Sequence, residues 1–172
     1  MISKFIKGKT AVFIDAANIL YSQKSLGWRV DYVKLKQYFE NECQLSHIAF
    51  YTGKVGSDEK QKSFLKKLSD TGIKVFSKDV KFIKTKNDLT ITKGNLDVEL
   101  ALDCFINKDN FNTLILFSGD SDFAYLIDVL KGYGKFIIVI STRNHIAREL
   151  VERAKFVPLN KIRSFIEYIK KT

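Results

Sequence analysis

Residues 118–122 read SGDSD, between the apolar run TLILF and the helix-like FAYLIDVLKGYG, and set Asp120 and Asp122 two positions apart. One of the two can cap the following helix, because an N-cap carboxylate satisfies orphan backbone N–H groups. The other has no such duty. Two more aspartates stand in comparable places: Asp15 ends VFID, with Asn18 three residues on, and Asp97 opens DVELALDCFIN. Carboxylates gathered in one cleft repel, by about 4 kcal/mol for two unit charges ~4 Å apart at an effective dielectric of ~20. A cation offsets that cost. Hard divalent ions take oxygen ligands, and the chain offers no Cys/His set suited to zinc. Taken singly, each acid is better explained by a structural role at a helix start than by a metal site; taken together, the two readings stand level.

These acids depend on the elements that carry them. Five short apolar runs, TAVFI (10–14), HIAFY (47–51), IKVFS (73–77), TLILF (113–117) and KFIIVI (135–140), read as strands, three of them nearly continuous as buried parallel strands are. Helical patterns lie between them: DYVKLKQYFENE, EKQKSFLKKLSDTG, DVELALDCFIN and DFAYLIDVLKGYG. In DVELALDCFIN the expected apolar stripe is Val98, Ala101, Leu102, Phe105 and Ile106. Alternating strands and helices predict an α/β fold with a mainly parallel sheet of five or six strands, helices on both faces and strand order 3-2-1-4-5. Asp15, Asp120 and Asp122 then leave neighbouring strands at the point where strand order reverses, the place where such sheets bind ligands. Asp97, opening a helix, faces the same end. Asp103, ~9 Å farther along that helix, is peripheral, and an exposed polar stripe accounts for it and Glu99.

The segment VKFIKTKNDLTITKG (80–94) departs from the alternation and predicts a basic hairpin about TKND. After the fifth strand, FVPL is an expected edge strand and residues 160–171 an expected closing helix. The whole chain, 1–172, is expected to be one domain.

With 29 Lys and Arg against 19 acids, the formal charge is +10, which favours polyanionic partners. Between Lys54 and Lys93 stand eleven lysines and five acids, with Phe64, Phe76 and Phe82 among them. Taken alone, that stretch reads as a solvated lysine face over core aromatics. No run approaches the ~18 apolar residues of a membrane span, and the N-terminus MISKFIKGKT lacks the apolar core of a signal peptide. A cytoplasmic protein without membrane contact is expected, its Cys43 and Cys104 reduced thiols.

VFIDAANIL, KGNLDVELALD and LILFSGDSDFAYLIDVLKGYGKFIIVIS together resemble the three signature blocks of the NYN domain, in the LabA-like branch of the PIN-like nucleases. The resemblance runs from about residue 10 to 159. It implies a three-layer PIN-like α/β/α sandwich and a metal-dependent ribonuclease using Mg2+ or Mn2+ on RNA, a single strand by preference, with a homodimer as a family expectation. By position it assigns Asp15, Asp97, Asp120 and Asp122 as metal ligands and catalytic acids, with Asn18 supporting them and Ser118 ordering the site. Asp122 would hold a second ion or orient a metal-bound water. Lys93, four residues before Asp97, and Arg143, in STRNHIA, would bind the substrate's phosphates, and the lysines from Lys60 to Lys93 would track its backbone. A surface role for Arg143 is equally open. So are base stacking and loop packing for Tyr21, Trp28 and Arg29, while His47 and His145 match no site position.

Two rivals remain. A haloacid dehalogenase-type phosphohydrolase also ends its first strand in Asp but needs a second acid two residues on, where this chain has Ala17. A non-catalytic RNA-binding module would keep the basic surface and use the acids only as caps.

Overall fold

The computed structural model describes residues 2–56, 58–84 and 90–170, with the main chain alone at 82–84 and 90–93. Strand β1 (Thr10–Asp15) leads into helix α1 (Ala16–Leu26), which ends at Gly27 in the left-handed region (φ 72°) that glycine adopts without a Cβ penalty. Helix α2 (Tyr32–Glu42), β2 (Leu45–Lys54), α3 (Glu59–Asp70) and β3 (Lys74–Asp79) follow. The antiparallel pair β4 (Lys81–Lys84) and β5 (Thr90–Lys93) forms the expected hairpin arms, and its TKND tip lies outside the described residues. Then come α4 (Asp97–Ile106), β6 (Thr113–Phe117), α5 (Ala124–Gly132), β7 (Phe136–Ser141), α6 (Arg148–Arg153), β8 (Lys155–Pro158) and α7 (Arg163–Ile166).

Six strands form one all-parallel sheet in the order β3-β2-β1-β6-β7-β8. With the hairpin set aside this is the expected 3-2-1-4-5 extended by one edge strand, the FVPL segment. Alternate side chains leave opposite faces of a strand. Val12, Ile14, Ile115 and Phe117 therefore pack under α1, α2 and α3, while Ala11, Phe13, Leu114 and Leu116 pack under α4, α5 and α6. Phe13, Phe39, Phe111, Phe117 and Phe123 are fully buried. Their burial contributes about 1.5–3 kcal/mol per side chain.

Two expectations are corrected. Helix α4 turns Leu100 and Cys104 to the core and leaves Val98 and Ile106 each 69% exposed, with Leu102 exposed between them. Its rotation is held from one flank, where the Tyr51 hydroxyl donates to Asp103 (2.7 Å) and Lys78 pairs with Glu99 (2.7 Å). The closing helix is a 3-10 turn, Leu159–Ile162, followed by the four residues of α7. Beyond it Glu167 bridges Val30, and the Tyr168 N–H donates to the Arg29 carbonyl (2.8 Å). Extended pairing with residues 29–31 thus takes the backbone groups that a longer helix would need.

Candidate metal centre and active site

Register brings the acids together. In the parallel β1/β6 pair Ile14 stands opposite Phe117, so Asp15 and Ser118 leave the sheet side by side at the switch point between the two halves. The Ser118 hydroxyl donates to Asp15 Oδ2 (2.9 Å), and Asp15 Oδ1 caps α1 by accepting from the Asn18 N–H (3.2 Å). The Asn18 amide oxygen in turn lies 3.4 Å from the Ser141 hydroxyl, at the end of β7. Asp15 is only 8% exposed. Burial pushes its carboxyl up, the Asn18 and Ser118 donors oppose that, and the Asp120 charge adds to it.

Asp120 accepts from the Asp122 N–H (3.0 Å) and so caps the 3-10 turn Ser121–Phe123, while its own N–H donates to the Ser118 hydroxyl (3.2 Å). Asp97 is no cap: the N-cap of α4 is Leu96, and the Asp97 carboxylate accepts instead from the Asn95 amide (2.6 Å). Carboxylate oxygens of Asp97, Asp120 and Asp122 lie within 4.8 Å of one another. Asp15 stands outside that triplet, both its oxygens engaged, yet its charge reaches Asp97. Burial first, then the charges of Asp15 and Asp120, and less that of Asp122, raise the Asp97 carboxyl to about 6. Among the described residues no lysine or arginine pairs with any of these four acids.

The four acids sort by what holds them. Asp15 is a buried anchor, Asp120 both caps and faces the cluster, and Asp97 and Asp122 have no helix-capping hydrogen bond. Neither Ser141 nor Asn95 stands out in the sequence. Ser141 ends an ordinary apolar strand, and only the packing of β7 beside β6 brings it to Asn18.

The remaining expected residues fall elsewhere. Lys93 ends β5, and its side chain lies outside the described residues. The base of the hairpin docks on the end of β2, with the Val80 N–H donating to the Lys54 carbonyl (2.8 Å), so β5 leads directly into Asn95 and Asp97. Arg143 is exposed and lines a cavity of about 440 Å³ with Ser25, Thr142 and Lys161, apart from the acid triplet. Trp28 is buried and donates to Asn160 (3.0 Å), so it packs rather than stacks, whereas Tyr21 is exposed beneath Lys24. The lysine face is partly self-neutralised: Lys54, Lys62 and Lys66 pair with Asp79, Glu59 and Asp70. His47 packs edge-on to Phe13, and the His145 ring meets the Ser25 hydroxyl.

The NYN domain family model matches residues 9–160. This chain belongs to the NYN domain family. It is 34% identical over 168 residues, 95% of this chain and 90% of the relative, to the low amplitude and bright protein LabA of Synechococcus elongatus. A crystal structure of a protein of unknown function from Vibrio parahaemolyticus superposes with a TM-score of 0.76, covering 93% of this chain and 96% of the other at 24% identity, and shares the fold. NYN domains are PIN-like nuclease folds, and the acidic cluster stands where the motif blocks of this NYN chain converge.

The electrostatics of the cluster set a stability prediction for the metal-free chain. Asp97 ionises near ~3.9 when unfolded and near about 6 when folded, so in that window the folded state binds more protons and stability falls as pH rises. Asp97→Asn removes the penalty. Discounted for solvent screening at a partly exposed carboxyl, the variant is expected to be about 1 kcal/mol more stable than wild type above pH ~6 and equal to it near pH ~4. Thermal melts in EDTA across that range check this. A difference that stays constant with pH would show that the cluster does not strain Asp97.

Proposed function

We propose that this NYN domain is a ribonuclease that cuts RNA phosphodiester bonds with a divalent cation, Mg2+ or Mn2+, held by Asp97, Asp120 and Asp122. One observation carries the reading: three carboxylates share 4.8 Å at the strand switch point with no protein cation beside them among the described residues. The donor set is all oxygen and fits a hard ion, with Asp97 raised to about 6 marking the charge that such an ion offsets. When bound, the ion supplies charge neutralisation and Lewis acidity at the phosphoryl oxygens.

The protein's own groups do the rest. Ser118 and Asn18 fix Asp15, whose buried charge holds the cluster's field constant. Asp120 positions Asp122 through the Asp122 N–H. Asp122 is exposed and is the acid best placed to take a proton from an attacking water. Lysines of the 60–81 face with no carboxylate partner among the described residues, such as Lys67, Lys74 and Lys81, hold the phosphate backbone of a single strand, which makes binding fall steeply with salt.

End-labelled single-stranded RNA tests this directly. Cutting is expected with Mg2+ or Mn2+ and is expected to vanish in EDTA. Tight, salt-sensitive binding with no cutting under either metal would replace the enzyme by a binding module.

A further inference from the structure

A cavity of about 890 Å³ opens between α1, α3 and the chain from Gly27 to Tyr32. It reaches the chain beside Asp15. Ala16 on its wall directly follows Asp15, and Thr52 follows Tyr51, whose Cα pairs with that of Asp15. Its size is within the range of ~300–1,000 Å³ typical of small-ligand sites and is sufficient for a nucleotide.

The lining has two kinds of surface. Leu20, Val55, Phe64 and Tyr168 are all exposed large apolar side chains, and all four line this one cavity. Phe64 rests edge-on against buried Tyr32 (5.9 Å between ring centroids, 62°) and Phe50 (6.1 Å, 75°), which fix its ring while 40% of the residue stays open. Lys24, Arg29 and Lys60 also line it, and among the described residues none of the three has a carboxylate partner. The one acid among the described lining residues, Asp58, is committed to capping α3, where it accepts from the Lys60 and Gln61 N–H groups. A purely apolar ligand would leave the cations unused, and a bare phosphate would leave the aromatic wall unused. A nucleotide uses both: base–aromatic stacking accepts any base, and cations flanking it meet the adjoining phosphates.

We propose that this cavity is a nucleobase subsite of the substrate strand, taking one unstacked base of single-stranded RNA against Phe64 while Lys24, Arg29 and Lys60 hold the phosphates on either side. The proposal rests on the ribonuclease reading for its substrate and adds the place where that strand is gripped. It requires a base free of pairing, because a duplex base must first leave its stack at a cost of a few kcal/mol. Selection for unpaired RNA then comes from this wall and not from the acids.

The test is an abasic scan. A short single-stranded RNA, with each nucleotide in turn replaced by an abasic one, is titrated by fluorescence anisotropy onto the Asp120→Asn chain in Mg2+, with and without Phe64→Ala. One position is expected to lose about 5- to 100-fold in affinity when its base is removed. In Phe64→Ala the same removal is expected to cost less than about 2-fold, since the stacking partner has already gone. Leu20→Ala, at an exposed helical position, repeats the comparison should Phe64→Ala fail to fold.

A flat abasic profile, a position-specific loss unchanged by both variants, or equal affinity for a duplex would overturn the subsite. Failure of the ribonuclease reading looks different: wild type would not cut RNA, whatever the abasic profile. A cutting enzyme with a flat profile would lose the subsite alone.

Discussion

Asp120→Asn is expected to lower RNA cleavage on the order of 10³-fold while leaving RNA affinity equal or greater. The substitution is close to isosteric and keeps an oxygen to accept the Asp122 N–H, so the turn at Ser121–Phe123 is retained. What it removes is one unit of negative charge and, on the proposed function, a cation ligand. Loss of transition-state charge stabilisation worth about 4 kcal/mol corresponds to that factor of 10³. The sign on binding follows from the same charge: the triplet within 4.8 Å repels a polyanion, and a smaller negative charge repels it less. Asp97 should also ionise more readily, because the Asp120 charge helps to raise it. Single-turnover cleavage and anisotropy on the same RNA measure both halves. Cleavage within 10-fold of wild type would remove Asp120 from the ligand set, and a parallel loss of binding would show damage to the fold.

Gly119→Ala is the substitution of largest expected structural cost. The β6 exit runs directly under the loop after β7: the Ala147 N–H donates to the Gly119 carbonyl (2.9 Å), and a Cβ at Gly119 would sit within 2.7 Å of the His145 carbonyl carbon, 2.8 Å of the Ser141 hydroxyl and inside the His145 carbonyl oxygen. Backbone cannot give way as a flexible side chain does, so one of the two loops must move. Both carry the site. Ser118 and Asp120 flank Gly119, and Ser141 holds Asn18. A loss of roughly 3 kcal/mol or more in urea unfolding is expected, together with loss of cleavage. Gly132→Ala is the control, since nothing lies within 4 Å of its built Cβ; in a helix it should stabilise by about 0.5–1 kcal/mol. Equal behaviour of the two variants would refute the close-approach argument.

The large elements were legible because burial writes itself into sequence period. TLILF and TAVFI are apolar after their first Thr, and both strands are buried on both faces. The alternation of strand and helix then left few arrangements, and the observed order extends the one expected. Helix rotation was less legible. In α4 the 3.6-residue pattern offered Val98, Leu102 and Ile106 as a buried stripe, yet these face outward and the smaller set of Leu100 and Cys104 packs inward. Apolar residues occupy most of that helix, so its pattern fixes no face, and the hydrogen bond from Tyr51 to Asp103 does. The expected closing helix shows the same limit, where the pairing of Glu167 with Val30 replaced helical hydrogen bonds that local propensity favoured.

By itself, the sequence determined that this is an α/β chain of the NYN family with acids at two strand exits and at a helix start, because those features depend on residue type and short spacing. Tertiary structure alone decided which acids form the cluster and which one anchors it. The Ser118–Asp15 hydrogen bond spans 103 residues and exists only because β1 and β6 are in register, which withdraws Asp15 and leaves Asp97, Asp120 and Asp122 together. The cavity between α1 and α3 arises in the same way, since its walls come from residues 16 to 168 and no local pattern can specify a space between them.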